Sequence, residues 1–144
     1  MSAVPVNYLA ILVSAIAVIV VSMLWYGPLF GKTWMKLAGM GEMTPDMMEK
    51  GKKEMPKNSF IQFVFALLMG WVLAHAIVFA NAYLGTTGIL SGLMAGLMNW
   101  LGFVAPVSIG MVLWEGRKWS YWFIVAGNWL VNLLVIGAIL GVWM

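Results

Sequence analysis

The stretch VVSMLWYGPLFGKTW, residues Val20–Trp34, ends a long apolar run and decides the fold class. The run begins at Pro5, and the first charged residue is Lys32. An α-helix needs about 20 apolar residues to cross the hydrocarbon core of a bilayer. Gly27 and Pro28 are expected to stop or sharply bend this helix, because proline lacks a backbone donor and clashes with the preceding turn.

Aromatic side chains surround this boundary. Trp25, Tyr26 and Trp34 carry amphipathic rings, which are favoured where membrane and water meet. Between Leu29 and Leu37 apolar residues recur near helical spacing, with lysines between them. This pattern predicts a short amphipathic helix in the headgroup plane.

The composition is that of a membrane protein. Hydrophobic residues make up 63% of the 144 residues and charged residues 9%, whereas soluble domains carry about 25% charged residues. Short loops force consecutive helices to be antiparallel neighbours. We predict an all-α, integral membrane four-helix up-down bundle with one or two short amphipathic helices in the first loop. The single transmembrane domain, 1–144, has predicted helices at about 5–27, 60–84, 88–114 and 119–143, and a cytoplasmic loop at about 28–59.

The positive charges predict the orientation. All eight lysines and arginines lie in two segments of the chain. The first segment contains Lys32, Lys36, Lys50, Lys52, Lys53 and Lys57, and the second contains Arg117 and Lys118. Such residues accumulate on the cytoplasmic side. We therefore predict a multi-pass protein of the bacterial cytoplasmic (inner) membrane with both termini outside. The net charge of +3 is interpreted as this orientation signal, so the lipid bilayer is the expected partner and nucleic acid is not.

The first loop contains a second helix start. Thr44 suits the N-cap and Pro45 the first helical position. The basic stretch from Lys50 to Lys57 either rests against anionic lipid or is a solvated loop. Met43 and Met47 belong to a methionine-rich segment, for which copper capture and apolar contact are the alternatives.

Small residues dominate the third predicted helix. Gly88, Gly92 and Gly96 form a GxxxGxxxG series, and Gly102 continues a neighbouring small-residue stripe. In lipid, such faces let helices approach closely, so tight packing inside the bundle or across a dimer is favoured over a pore. Pro106 is expected to kink this helix near Gly102.

The first predicted helix carries a similar small-residue face. Asn7, Ala10 and Ser14 lie along it, and we predict that it turns inward. Ile11, Leu12 and Val18 are then expected to face lipid.

Several chemistries find no support in the sequence. There is no cysteine, and no Asp, Glu, Lys or Arg lies in a predicted span. A carboxylate within the membrane is usual in ion-coupled pumps, and no catalytic motif is present. We predict a protein that is not an enzyme and has no cofactor and no metal site. Glu115 and Arg117 are predicted to form an ion pair that fixes the cytoplasmic end of the third helix.

Four polar residues within the spans are candidates for a ligand or polar lining: His75, Asn99, Asn128 and Asn132. Asn99 and Asn132 are predicted at similar depth and are expected to hydrogen-bond across the bundle. The alternatives are polar contacts that hold helices together and a lining for a small solute. His75 either relays protons, binds a metal or ligand, or is satisfied by a neighbouring helix.

Four motifs together resemble a known family. WYGPLFGKTW (Trp25–Trp34), GFVAP (Gly102–Pro106), WEGR (Trp114–Arg117) and the pair Ala126–Gly127 are similar, in the same order, to the bacterial membrane domain-of-unknown-function family 1761. The resemblance covers nearly the whole chain. It implies a small four-helix membrane protein and adds no substrate, cofactor or catalytic residue.

Two functions are compatible with these features. The first is a homo-oligomeric carrier or channel for a small uncharged or weakly polar solute, because four helices scarcely enclose a route alone. The alternative is an accessory or scaffold subunit that binds a membrane protein partner through the glycine-rich helix or the cytoplasmic loop.

Overall fold

The all-helical architecture predicted from the apolar runs is confirmed by the structure, a computed structural model that describes residues 4–144. This range contains five helices and no strand. All of them except the second are long and apolar enough to cross a membrane, as predicted for four helices. The helices are α1 (Tyr8–Leu29), α2 (Gly31–Leu37), α3 (Pro45–Leu84), α4 (Gly88–Leu113) and α5 (Trp119–Trp143).

The first helix begins with a side-chain cap that also reaches α5. Oδ1 of Asn7 accepts hydrogen bonds from two backbone N–H groups at 3.0 and 3.1 Å, which satisfies donors that a helix start leaves free. Nδ2 of Asn7 donates to the carbonyl oxygen of Trp143 at 3.2 Å. The start of α1 therefore lies beside the end of α5.

The Gly-Pro pair bends α1 through a π turn and does not stop it at once. Residues Trp25–Leu29 form this turn, and the N–H of Phe30 donates to the carbonyl oxygen of Trp25 at 2.8 Å. In a regular helix the ring of Pro28 would clash with the carbonyl group four residues earlier. The wider π turn accommodates that ring and the missing donor.

A short helix follows at the predicted place. A Cβ atom on Gly31, the first residue of α2, would overlap the carbonyl oxygen of Tyr26, so the chain needs a glycine there. Gly39 follows α2 with a φ of +74°, a left-handed conformation that favours glycine after a helix. The rings of Tyr26 and Trp34 pack edge to face, 5.3 Å apart.

The third helix differs from the prediction. Thr44 is the N-cap, as expected, and its Oγ1 accepts from the N–H of Met47 at 3.3 Å. The helix that begins there is not a separate short helix, because it continues for 40 residues to Leu84. The predicted loop to residue 59 and helix start at residue 60 are therefore corrected. Pro56 is tolerated because the segment around it is exposed, so water can reach the carbonyl group that it leaves unpaired.

The predicted kink in α4 takes the form of a second π turn. It spans Trp100–Val104 and ends two residues before Pro106, and the N–H of Ala105 donates to the carbonyl oxygen of Trp100. Gly102 lies in this turn, and a Cβ atom placed on it would have no neighbouring atom within 4 Å. Gly102 and Pro106 are both exposed, so neither is part of the predicted helix packing.

The core lies between α1, α3 and α5. One prediction is wrong here: Ile11 and Val18 on α1 do not face outward but are 4% and 0% exposed. Ile11 packs against Gly70 of α3, where a Cβ atom would lie 3.3 Å from its Cγ2. The buried apolar residues are Ala10, Ile11, Ala15, Val18, Ala66, Leu73, Ala74, Ile77, Leu133, Ile136 and Leu140.

The most extensive contact between two helices is that of α4 with α5. A Cβ atom on Gly92 would overlap the carbonyl oxygen of Gly137, and one on Gly141 would lie 2.6 Å from the carbonyl oxygen of Gly88. Gly96 meets the carbonyl group of Leu133 in the same way. The paired residues run in opposite order, so the two helices are antiparallel. The GxxxG face of α4 therefore packs against α5 of the same chain.

This contact predicts a strong effect of Gly92→Ala. The added methyl group must displace α5 backbone, and overpacking of this kind costs about 1–3 kcal/mol. Unfolding of the purified protein in detergent micelles by increasing sodium dodecyl sulfate measures the change.

The matched control is Gly102→Ala on the same helix, where a methyl group meets no atom within 4 Å. We expect a change of less than about 0.5 kcal/mol there. Equal losses in the two variants would contradict the assigned α4–α5 contact.

Candidate functional site

A fully buried amide cluster joins α1 to α5. Asn128 and Asn132 are 1% and 0% exposed. Nδ2 of Asn132 donates to Oγ of Ser22 at 3.1 Å and to Oδ1 of Asn128 at 3.0 Å. The hydroxyl of Ser22 lies 3.5 Å from the same Oδ1 and donates to it. The candidates Asn128 and Asn132, one turn apart on the last helix, are therefore together, and their partner comes from α1.

The amide cluster leaves two polar atoms without a partner in the described part of the chain: Nδ2 of Asn128 and Oδ1 of Asn132. Rotating both amides by 180° exchanges oxygen and nitrogen but again leaves one of each unpaired, because the cluster contains one hydroxyl and two amides. Both residues are absent from the lining of the grooves described below. We therefore assign Asn128 and Asn132 to interhelical contact.

The other two candidates lie elsewhere. Asn99 donates from Nδ2 to the carbonyl oxygen of Ala95, one turn back on its own helix, at 2.8 Å. The predicted bond between Asn99 and Asn132 is thus not formed, because both donate to other oxygens. His75 also turns to its own helix: Nδ1 donates to the carbonyl oxygen of Trp71 at 2.8 Å, with their rings 4.4 Å apart.

Two tryptophans approach α5 from opposite neighbours. Nε1 of Trp25, on α1, donates to the carbonyl oxygen of Ile124 at 2.9 Å. Nε1 of Trp100, on α4, donates to the carbonyl oxygen of Ala126 at 2.8 Å. Each tryptophan begins a π turn. Gly127 leaves room for this arrangement, because a Cβ atom there would lie 3.3 Å from the ring of Trp25. Trp25 is therefore a packing residue as well as a predicted interface residue.

The loop between α4 and α5 contacts the segment after α2. Nη1 of Arg117 lies 3.5 Å from the carbonyl oxygen of Ala38, to which it donates, and the guanidinium group lies 5.2 Å from the ring centre of Tyr121. The predicted ion pair with Glu115 is corrected: within residues 4–144 the salt bridge present joins Lys53 and Glu49. Arg117 thus fixes the loop through a carbonyl group and an aromatic ring.

Two neighbouring grooves lie between α3 and α4. The larger, which we call the upper groove, has a volume of about 620 Å³. The smaller has a volume of about 380 Å³ and includes Leu68 and Phe103. Asn99 lines both, so the two grooves meet beside its amide. Residues lining the upper groove are Ala76, Ala80, Leu84, Thr86, Thr87, Leu90, Ser91, Met94, Ala95, Met98 and Asn99.

A polar cluster lies at one end of the upper groove. Oδ1 of Asn81 accepts from the hydroxyl of Ser91 and, at 3.3 Å, from that of Thr86. Ser91 is 7% exposed, while Thr86 belongs to the short loop between α3 and α4. The site predicted from sequence omitted Asn81, Thr86 and Ser91. Their spacing gives no periodic signal, since the loop alone brings them together.

The fold and the grooves define the class of protein. It is an all-helical protein with four apolar helices of membrane-spanning length, two of which have grooves between them. The profile of the family described as "Protein of unknown function (DUF1761)" matches residues 9–141, nearly the whole chain. The chain belongs to that family, as its motifs suggested. No curated protein and no solved structure matches it significantly.

The motifs of this resemblance lie toward one end of the helices, and two of them are in direct contact. Trp25 of the first motif contacts Gly127 of the Ala-Gly pair. Arg117 of the WEGR motif donates to Ala38, just beyond the first motif. Pro106 ends the motif that overlaps the second π turn. The motifs therefore describe one end of the helix assembly, where α1, α4 and α5 are held together.

The amide cluster predicts an energetic coupling between Ser22 and Asn132. In a double-mutant cycle of Ser22→Ala and Asn132→Ala, we expect a coupling of about 0.6–1.7 kcal/mol, the range found for interhelical hydrogen bonds in membrane proteins. Unfolding in detergent measures each corner of the cycle. The control cycle pairs Asn132→Ala with Asn99→Ala and should show no coupling, since these residues share no bond. The reverse pattern would contradict the assigned cluster.

The indole bonds to α5 predict that Trp25→Phe lowers the free energy of unfolding by about 1–2 kcal/mol, because it removes the donor to Ile124 and part of the contact with Gly127. Trp114→Phe is the control, since Trp114 is 87% exposed and donates no side-chain hydrogen bond within the described residues. If both variants unfold at the same detergent concentration as the parent, Trp25 has no packing role.

Proposed function

We propose that this protein is a non-enzymatic, multi-pass protein of the bacterial cytoplasmic membrane. Its four long helices form an up-down bundle, with both termini outside and the lysine-rich parts of α2 and α3 in the cytoplasm. The hydropathy of the spans supports the membrane location. The side assignment rests on the lysines and arginines, because all eight lie near one end of the helices.

Within that membrane, the protein acts as a homo-oligomeric carrier for a small uncharged or weakly polar solute. The single observation that carries this proposal is the meeting of two grooves at Asn99, between helices that contact each other weakly. The amide offers a hydrogen-bonding group at mid-depth, between the polar end of the upper groove and the apolar lining of the smaller one. Of the four predicted polar residues, only Asn99 lines this path.

The oligomer follows from the position of the grooves. They open sideways between α3 and α4, and exposed side chains such as Met94 and Met98 border them. A polar solute would meet lipid at this opening. A second copy placed across the opening encloses the path, and closed pairs with twofold symmetry are the commonest arrangement.

Flux in proteoliposomes tests the carrier. Glycerol and urea serve as uncharged probes, and stopped-flow light scattering follows reswelling after an osmotic step. We expect faster reswelling with the protein than in empty liposomes, and loss of that difference in Ala80→Phe, which fills the upper groove. Val107→Phe is the control, because Val107 is 79% exposed on α4 and lines neither groove.

Reswelling at the rate of empty liposomes for both probes would overturn the carrier function. Native mass spectrometry of the protein released from nanodiscs then measures its oligomeric state. A monomer would contradict the proposal that a second copy encloses the path.

The second candidate function is that of a scaffold, and the exposed first part of α3 favours it. Residues 45–58 are exposed throughout and extend the helix beyond its apolar part. Met48 and Met55 lie on one side of it, 47% and 56% exposed, and most of the charged residues occupy the other side. A stoichiometric partner protein that dissociates on Met48→Ser with Met55→Ser would support this function.

A further inference from the structure

The upper groove lies in the longest part of the chain without charge. Residues 58–114 contain no Asp, Glu, Lys or Arg, and every residue that lines the groove belongs to this segment. A charged group in such a groove would lack a counter-ion, and an unpaired charge in lipid is costly. The groove therefore offers no counter-ion to a phosphate, carboxylate or ammonium headgroup, and an uncharged head suits it better.

The length of the groove matches one leaflet of a bilayer. From Gly88 to Asn99 α4 extends about 17 Å at 1.5 Å per residue, and one leaflet contributes about 15 Å to the hydrocarbon core. Small residues of both helices, among them Ala76, Ala80 and Ala95, leave space along this length, and Leu90 and Met94 border it. These dimensions and this lining suit one extended apolar chain.

The polar end of the groove has unused hydrogen-bonding capacity. The hydroxyl groups of Thr86 and Ser91 line this end, and both bond to Oδ1 of Asn81, which itself lies outside the lining. Thr87 adds a further hydroxyl group to the lining. The buried Ser91 holds the amide of Asn81 in place. A ligand head that both donates and accepts hydrogen bonds, without charge, complements these groups.

We propose that the upper groove binds one uncharged single-chain amphiphile, with its apolar chain between Ala80 and Met94 and its hydroxyl-bearing head beside Thr86, Thr87 and Ser91. This inference rests on the proposed carrier function, for which it names the substrate class. The uncharged lining and the hydroxyl groups at one end, in place of basic residues, favour this class over anionic lipids.

Native mass spectrometry of the whole protein, delipidated in mild detergent, tests the binding. The two probes are 1-monoolein, which is uncharged, and 1-oleoyl lysophosphatidic acid, which has the same chain and a phosphate head. We expect one bound monoolein per chain and about tenfold weaker binding of the phosphate analogue. Ala80→Phe and Met94→Trp fill the groove from opposite sides, and both should weaken monoolein binding about tenfold, whereas Val107→Phe should not.

A polar-end variant separates the head from the chain. Thr86→Val with Thr87→Val keeps the groove's shape and should lower the preference for monoolein over its phosphate analogue. Equal binding of both probes, or monoolein binding that survives both groove-filling variants, would show ordinary surrounding lipid and overturn the proposal. A second copy that fills the groove would also overturn the proposal. The sign of it would be that Ala80→Phe abolishes the dimer in native mass spectrometry but leaves monoolein binding unchanged.

The flux experiment separates this inference from the carrier function. Glycerol or urea flux that is sensitive to Ala80→Phe, without monoolein binding, overturns the amphiphile and keeps the carrier. Monoolein binding without flux of either probe keeps the binding site and overturns the carrier for small solutes.

Discussion

The backbone contact between α4 and α5 is the interaction on which the rest of the structure depends. In lipid, apolar side chains gain nothing by leaving one apolar neighbour for another, so helices associate through close packing and hydrogen bonds. Gly92 and Gly137 bring two backbones together where any side chain would overlap a carbonyl group. Without this contact α4 has little to hold it, because few other residues of its span are buried.

The position of α5 between α1 and α4 follows from that contact. The chain directs its polar groups to α5: two indole donors reach its carbonyl groups, and Ser22 meets its two buried asparagines. Because α4 is drawn toward α5, its contact with α3 is much smaller. The grooves between α3 and α4 therefore exist because the GxxxG glycines of α4 face α5 and not α3. The grooves thus arise at the contact that the fold leaves incomplete.

The two π turns share a sequence pattern. Each begins with a tryptophan followed two residues later by glycine, in Trp25–Gly27 and Trp100–Gly102, and a proline lies in or just after each turn. The proline requires a break in the regular hydrogen-bond pattern, and the wider turn provides it. The tryptophan at its start then bonds to α5. Helix irregularity and interhelical attachment thus occur together at the end of the assembly where the family motifs lie.

The sequence by itself determined the helical class, the four long apolar helices, the short helix α2 and the cap at Thr44, because these follow from local composition, chain length and backbone chemistry. It also indicated that the glycines of the third long helix pack closely. It did not determine which face of α1 is buried, where α3 begins, or the partners of Asn99, Asn132, His75 and Arg117. In an apolar span almost every face is hydrophobic, so hydropathy does not distinguish core from lipid. Only the tertiary structure decided those faces, since close backbone approach and hydrogen-bond geometry depend on which helices become neighbours.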